Sequence, residues 1–281
     1  MSFKKKVKNA IRTVIYMFKD KRVVAVPQMV NYDKQLEGKV ALITGGSSGI
    51  GFEIARKFLD NGCKVIIAGR SKSKLEQACN SLANNDIKYI ELDVSNVKSL
   101  ESAVEKAASL FEENRIDILV NSAGVLNKSG FKDMTEEEWD SIMNTNAKGT
   151  YFMCQAVSKF MIKHKVKGHI LNLSSASSIR PAWTPYQVSK WAIRGMTLGI
   201  ADELIKHGIV VNAIAPGPVA TPMMGKEEGD TIYLRTNPAE RYAIPEEIAD
   251  LAMFMVSDRG NLIVGDTFYI TGGGGTISLH H

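Results

Sequence analysis

From Lys39 onward the hydrophobic pattern of the chain switches repeatedly between two periods. Short runs rich in β-branched residues fall at Val40–Thr44, Val65–Ala68, Tyr89–Leu92, Ile116–Asn121, His169–Leu173, Ile209–Ala213 and Thr267–Ile270. Between them, apolar residues recur at helical spacing in Ile50–Asn61, Lys74–Asn84, Val97–Asn114, Thr135–His164, Pro185–His207 and Pro245–Ser257. Strand–helix alternation of this kind requires right-handed crossovers, and it predicts one α/β domain over residues 39–281. Its core is a doubly wound sheet of about seven parallel strands with helices on both faces.

Residues 1–38 follow a different pattern. Phe3, Val7, Ala10, Ile11, Val14, Ile15 and Phe18 recur at helical spacing with lysines between them, and a connector with Pro27 leads into the body. Arg12 interrupts the apolar stretch and no small-residue cleavage site follows, so the segment does not fit a signal peptide. It reads as an amphipathic arm with two main readings, the remaining one being disorder. Residues 3–18 can lie in the headgroup region of an anionic membrane, or the stripe can pack on the body or on a second subunit.

Composition changes this picture little. The chain has 281 residues, 44% of them hydrophobic and 23% charged, which is ordinary for a globular protein able to bury a sizeable core. No run of 18 apolar residues, internal repeat or second domain is present. Cys63, Cys79 and Cys154 stand far apart without metal spacing, which suits a reducing cytoplasm and implies no metal site. Charge is more informative. Residues 1–22 hold eight basic side chains against Asp20 alone, so the net +5 of the chain resides in the arm and the rest is near neutral. A nucleic-acid partner is not expected, because a binding domain would carry its basic patch on the fold itself.

The first candidate chemistry follows the first strand. Thr44-Gly45-Gly46-Ser47-Ser48-Gly49-Ile50-Gly51 runs directly into a helix. Glycines at 45, 49 and 51 permit a tight turn and close backbone approach, and a helix N-terminus offers unpaired N–H groups to a pyrophosphate. In this strand–turn–helix context the pattern predicts a dinucleotide site on a Rossmann-type sheet. The residue meeting the adenosine ribose is expected ~20 positions on, at the end of the second strand. That stretch reads Ala68-Gly69-Arg70-Ser71, with no acid to accept from a 2′-hydroxyl. The guanidinium of Arg70 suits a 2′-phosphate, so NADP(H) is expected over NAD(H).

The second candidate is Tyr186. Thr184-Pro185-Tyr186-Gln187 reads as a helix start with Thr184 as N-cap, and Gly208 as the expected stop. Tyr186 and Lys190 then lie four apart on one helix face. A free tyrosine titrates near ~10 and is a poor base at neutral pH, but a neighbouring ammonium is expected to lower that value. Tyr186 would then exchange a proton with a carbonyl or alcohol oxygen. Ser175, at the end of the fifth strand, would hydrogen-bond the same oxygen.

These motifs, taken together over Leu36 to about Thr276, resemble the short-chain dehydrogenase/reductase family, in particular its 3-oxoacyl reductases. The turn Thr44–Gly51 resembles the family's TGxxxGxG, and Leu92-Asp93-Val94 its adenine-contacting Asp-Val. Asn121-Ser122-Ala123-Gly124 resembles NNAG with Ser122 in place of the second Asn. Asn172-Leu173-Ser174-Ser175 matches NxSS, Tyr186–Lys190 matches YxxxK, and Pro216-Gly217-Pro218-Val219 matches the PG motif.

The resemblance implies a catalytic tetrad of Ser175, Tyr186, Lys190 and Asn146. Lys190 would also hold the nicotinamide ribose, and Asn146 would anchor a water. It implies cofactor contacts at Gly45, Ser47, Ser48, Gly49, Ile50, Gly51, Arg70, Asp93, Val94, Asn121, Ala123, Gly124, Tyr186, Lys190, Pro216, Gly217, Val219 and Thr221. It also implies a substrate lid over Thr221–Ala243 and a homo-dimer or homo-tetramer. Ten residues separate Ser175 from Tyr186, fewer than is usual in the family, so the loop with Arg180 and Trp183 is expected to shape the mouth differently.

The expected activity is hydride transfer between NADP(H) and a carbonyl or secondary alcohol, in the cytoplasm or at a membrane surface. The substrate stays open: an acyl thioester is suggested by the family and by Lys163, Lys165 and Lys167, while a sugar, steroid or small ketone fits as well. Two rival readings are a cofactor-binding scaffold or redox sensor without catalysis, and a membrane-attached interaction protein.

Overall fold

The chain divides into two units, Met1–Tyr32 and Asp33–His281. The computed structural model describes residues 34–227 and 229–277, all within the second. The arm expected over residues 3–18 lies outside the described residues.

Seven strands form the sheet: β1 Val40–Thr44, β2 Lys64–Gly69, β3 Ile87–Glu91, β4 Ile118–Asn121, β5 His169–Leu173, β6 Val210–Pro216 and β7 Thr267–Ile270. Their order is β3-β2-β1-β4-β5-β6-β7, with every pairing parallel. The helices are α1 Gly49–Asp60, α2 Lys72–Leu82, α3 Leu100–Ala108, α4 Glu136–Ile142, α5 Thr150–Lys163, α6 Pro185–Leu204 and α7 Pro245–Val256.

Alternate residues of each central strand feed opposite cores. Ile43 and Ile67 pack with Ile54 and Phe58 of α1, Leu75 of α2 and Ile248 of α7. Leu42 and Ile66 pack with Val104 of α3, Val157 of α5 and Leu204 of α6. This double burial explains why the strands read as unbroken apolar runs. The sheet is the expected doubly wound one. Strand order reverses between β1 and β4, and a crevice opens there at the carboxyl ends, the usual place for a ligand in such a sheet.

The structure departs from the pattern in three places. Leu36, expected in the connector, is fully buried, and its N–H donates to the Asn61 carbonyl, so the body begins before Lys39. The helix expected to reach Asn114 ends at Ala108, and Asn114 adopts a left-handed φ of 45°. The stretch Thr135–His164 is not one regular helix: a π-helical segment, Met143–Gly149, separates α4 from α5. Its cause is local. Asn146 lies in that segment, fully buried; its Nδ2 donates to the Val125 carbonyl (2.9 Å) and its Oδ1 accepts from Val125 N–H (2.8 Å). Such widened turns commonly aim a side chain at a functional region. Among the described residues, no helix is long and apolar enough to cross a membrane.

Candidate active site

The crevice is built first by the turn after β1. Gly45 has φ 68°, and a side chain there would meet Ala123 N at 2.8 Å; a Cβ on Gly51 would meet the Gly45 carbonyl oxygen at 2.5 Å. Both positions therefore require glycine for packing within the protein. Ala123 N–H also donates to Thr44 Oγ1 (3.2 Å), which ties the ends of β1 and β4 together. Ser48, at the N-cap of α1, makes no side-chain capping bond, so the first N–H groups of this helix keep their capacity for an anion.

The opposite wall comes from β5 and α6. Ser175 Oγ accepts from Ser177 N–H (3.1 Å), which leaves the Ser175 proton for another partner. Helix α6 begins with the expected capping box between Thr184 and Gln187, and Gly208 (φ 73°) ends the turn beyond it. Tyr186 thus sits in the first turn of α6, and Lys190 Nζ lies 5.5 Å from its ring centroid. Lys190 is buried at 6% exposure, and its ammonium donates to the Leu173 carbonyl (2.7 Å).

The electrostatics differ from the expectation for a Tyr–Lys pair. Burial raises the Tyr186 phenol above its ordinary value, with the hydrogen bond from Ser175 acting in the opposite direction. Burial also pulls the Lys190 ammonium down to about 8. Lys190 directs one of its three N–H bonds at the Leu173 carbonyl, and desolvation is the largest cause of the shift at both groups. Burial thus works against the charged form of both groups.

One cleft of about 230 Å³ collects Gly45, Ser47, Ser48, Gly49, Ile50, Ala123 and Gly124 on one side with Ser175, Tyr186 and Lys190 on the other. Pro216, Gly217, Val219 and Thr221 close its end. Arg70 and Asp93 stand apart from it, in a second groove along β3 and α3. Burial opposes ionisation of Asp93, but two hydrogen bonds from Ser95 and the charge of Arg70 outweigh it and hold the carboxyl below its ordinary value.

Four further candidates lie behind the walls. Gly51 packs under the turn, and Val94 is buried against Gly149. Asn121 donates to Asn172 Oδ1 (2.9 Å), and Asn172 in turn donates to Thr197 Oγ1 (3.0 Å), bracing β4, β5 and α6. Asn146 holds Val125 as described above. The cleft also includes Leu126 and Leu173, for which the sequence carried no signal; Leu173 serves through a carbonyl that any residue would supply. Ser122, Ser174 and, from the expected lid, Pro222, Met223 and Met224 complete the lining.

A family model for short chain dehydrogenases matches residues 39–231. The acetoacetyl-CoA reductase of Acinetobacter sp. (strain RA3849) is 35% identical over 245 residues, 84% of this chain and 98% of that protein. The 3-oxoacyl-(acyl-carrier-protein) reductase of Thermotoga maritima is 37% identical over 246 residues, 85% of this chain and 98% of that protein. A solved structure described as a short chain dehydrogenase/reductase family protein superposes with a TM-score of 0.77 at 32% identity, covering 86% of this chain and 100% of that one. The chain belongs to the short-chain dehydrogenase/reductase family. It resembles the 3-oxoacyl reductases within that family, and it is an oxidoreductase.

Proposed function

We propose that the chain transfers a hydride between NADP(H) and a carbonyl or secondary alcohol, with Tyr186 moving the proton. The observation that carries this reading is the convergence of Ser175, Tyr186 and Lys190 on one cleft with the uncapped N-terminus of α1. The glycine turn and Ser47, Ser48 and Ile50 would cradle the pyrophosphate, and Arg70 would meet the 2′-phosphate. Asp93 would reach the adenine, while Lys190, Pro216, Gly217, Val219 and Thr221 would flank the nicotinamide end. When bound, the nicotinamide supplies or accepts the hydride.

The chain's own residues supply the rest. Tyr186 as phenol donates its proton to the carbonyl oxygen during reduction and is left as phenolate; in the oxidation direction the phenolate takes the proton from the alcohol. Ser175, its lone pair already engaged by Ser177 N–H, directs its hydroxyl proton at the same oxygen and stabilises the charge developing there. Lys190 keeps a positive charge beside the phenol, and Asn146 braces the backbone at Val125, where the wall of the cleft begins.

A 3-oxoacyl thioester is the substrate class we favour, because the relatives named above reduce acyl-CoA or acyl-carrier thioesters by name. NADPH consumption measured against a panel of simple ketones and 3-oxoacyl thioesters tests both layers. Turnover of thioesters above the ketones supports the proposal, and no consumption with any carbonyl favours a non-catalytic cofactor-binding scaffold. We place the protein in the cytoplasm as a homo-oligomer. The net +7 of residues 1–22 supports a second reading, contact of the arm with an anionic membrane surface.

A further inference from the structure

The turn that carries Ser175 is held from the far edge of the sheet. Residues Ala176–Ile179 form a short 3-10 turn. Inside it Ser178, fully buried, donates its hydroxyl proton to the Ser175 carbonyl (2.8 Å), alongside its own backbone N–H (2.9 Å). Ser178 Oγ also lies 3.2 Å from the Tyr269 hydroxyl. A serine hydroxyl has one proton. That of Ser178 is committed to Ser175, so Tyr269 must be the donor in the second contact. The result is a directional chain, Tyr269 to Ser178 to Ser175, and successive hydrogen bonds of one polarity strengthen each other.

Tyr269 belongs to β7, where it pairs with Ala215 of β6, so the chain starts on a strand of the sheet. Helix α6 grips the same loop twice, through Arg194 to the Ser178 carbonyl (3.3 Å) and Trp191 to the Arg180 carbonyl (2.8 Å). Those two contacts end on backbone beyond Ser175; the tyrosine chain ends on Ser175 itself.

We propose that Tyr269 is a positioning residue for Ser175: through Ser178 it fixes the backbone from which the Ser175 hydroxyl reaches Tyr186 and the reacting oxygen. The proposal rests on the reading of Ser175 and Tyr186 given above. It has a consequence that a merely structural role lacks. Ser175 is what opposes the upward pull of burial on the Tyr186 phenol. Loosening Ser175 lets that phenol rise further. Among the described residues, those lining the cleft with Tyr186 are Lys190 on its own helix, the Ser175 hydroxyl after β5, and otherwise residues that carry no ionisable side chain.

The test compares Tyr269→Phe, Ser178→Ala and the double variant, with Tyr186→Phe as reference. Ultraviolet titration of phenolate, taken as the difference between each background with and without Tyr186→Phe, reads the Tyr186 midpoint without any substrate. Tyr269→Phe and Ser178→Ala should each move that midpoint upward, and the double variant no further than Ser178→Ala alone, since Tyr269 acts through Ser178. With NADPH and an accepted carbonyl, kcat should fall about three- to tenfold, the size of one lost hydrogen bond, while KM for NADPH is unchanged. An unmoved midpoint in Tyr269→Phe, or shifts that add in the double variant, overturns the chain. Should Ser178→Ala not fold, the isosteric Tyr269→Phe carries the test alone. A Tyr186→Phe protein of undiminished activity removes the underlying assignment, a failure read separately from the titration.

Discussion

Tyr186 and Lys190 share one helix face and one cleft, yet each is shifted chiefly by burial rather than by the other. Removal of the Tyr186 hydroxyl in Tyr186→Phe should lower turnover by ~10²–10⁴ with cofactor affinity little changed, checked by steady-state kinetics and NADPH titration. Lys190 leads to a stability prediction. Its value in the fold, about 8, lies below the 10.5 of an unhindered lysine, so between these values the unfolded chain holds more protons. Stability contributed by this site therefore rises with pH through that window and is lowest below about pH 8. Lys190→Met should inactivate the protein but raise Tm by a few degrees at pH 7, with the gain shrinking as pH approaches 10. Thermal melts at several pH values decide this; a fall in Tm at pH 7 would contradict it. At the adenosine end, NADPH should bind more tightly than NADH, and Arg70→Ala should erase most of the difference, ~1.5–3 kcal/mol for a charged hydrogen bond. Fluorescence titration of both cofactors measures it, and equal affinities in the unmutated protein would remove the assignment.

At the scale of elements, the widened segment Met143–Gly149 decides where α5 starts and what it supports. Gly149 closes it against Val94: a Cβ there would lie 2.9 Å from Val94 Cγ2 and 3.0 Å from the Val94 carbonyl oxygen. Alanine is the better helix former by roughly 1 kcal/mol. Here, however, it meets a backbone atom that cannot yield, and overpacking costs ~1–3 kcal/mol. Gly149→Ala should therefore lower Tm by a few degrees rather than raise it, and it should displace the Asp93–Val94 loop. A melt with unchanged or higher Tm would show that the segment adapts freely.

For the whole molecule, the arm and the body can be separated experimentally. Deletion of residues 1–22 leaves Leu36 and its place in the core intact, and no residue assigned to the site precedes Thr44. Catalysis should survive the deletion. Co-sedimentation with vesicles then distinguishes the two readings of the arm. Membrane contact requires binding to anionic but not neutral vesicles, weakened by salt and abolished by the deletion. A full-length protein that stays in the supernatant with anionic vesicles at low salt assigns the arm to packing.

The succession of strands and helices along the chain, the glycine turn after β1, the cap of α6 and the Tyr186–Lys190 spacing were legible in the sequence. Each depends on interactions between residues close in the chain, and local periodicity and turn chemistry report these directly. Other properties were decided only by the tertiary structure. The widening at Asn146 answers to the backbone of Val125, twenty-one positions away, and the Lys190 proton goes to a carbonyl whose side chain is irrelevant. The desolvation that raises Tyr186 and lowers Lys190 belongs to the assembled cleft and to no motif. The bond from Tyr269 to Ser178 spans 91 residues, and it exists because the sheet order brings β7 beside β6 and β6 beside β5. Contacts of that range depend on strand order, which the sequence expresses only once the whole chain has packed.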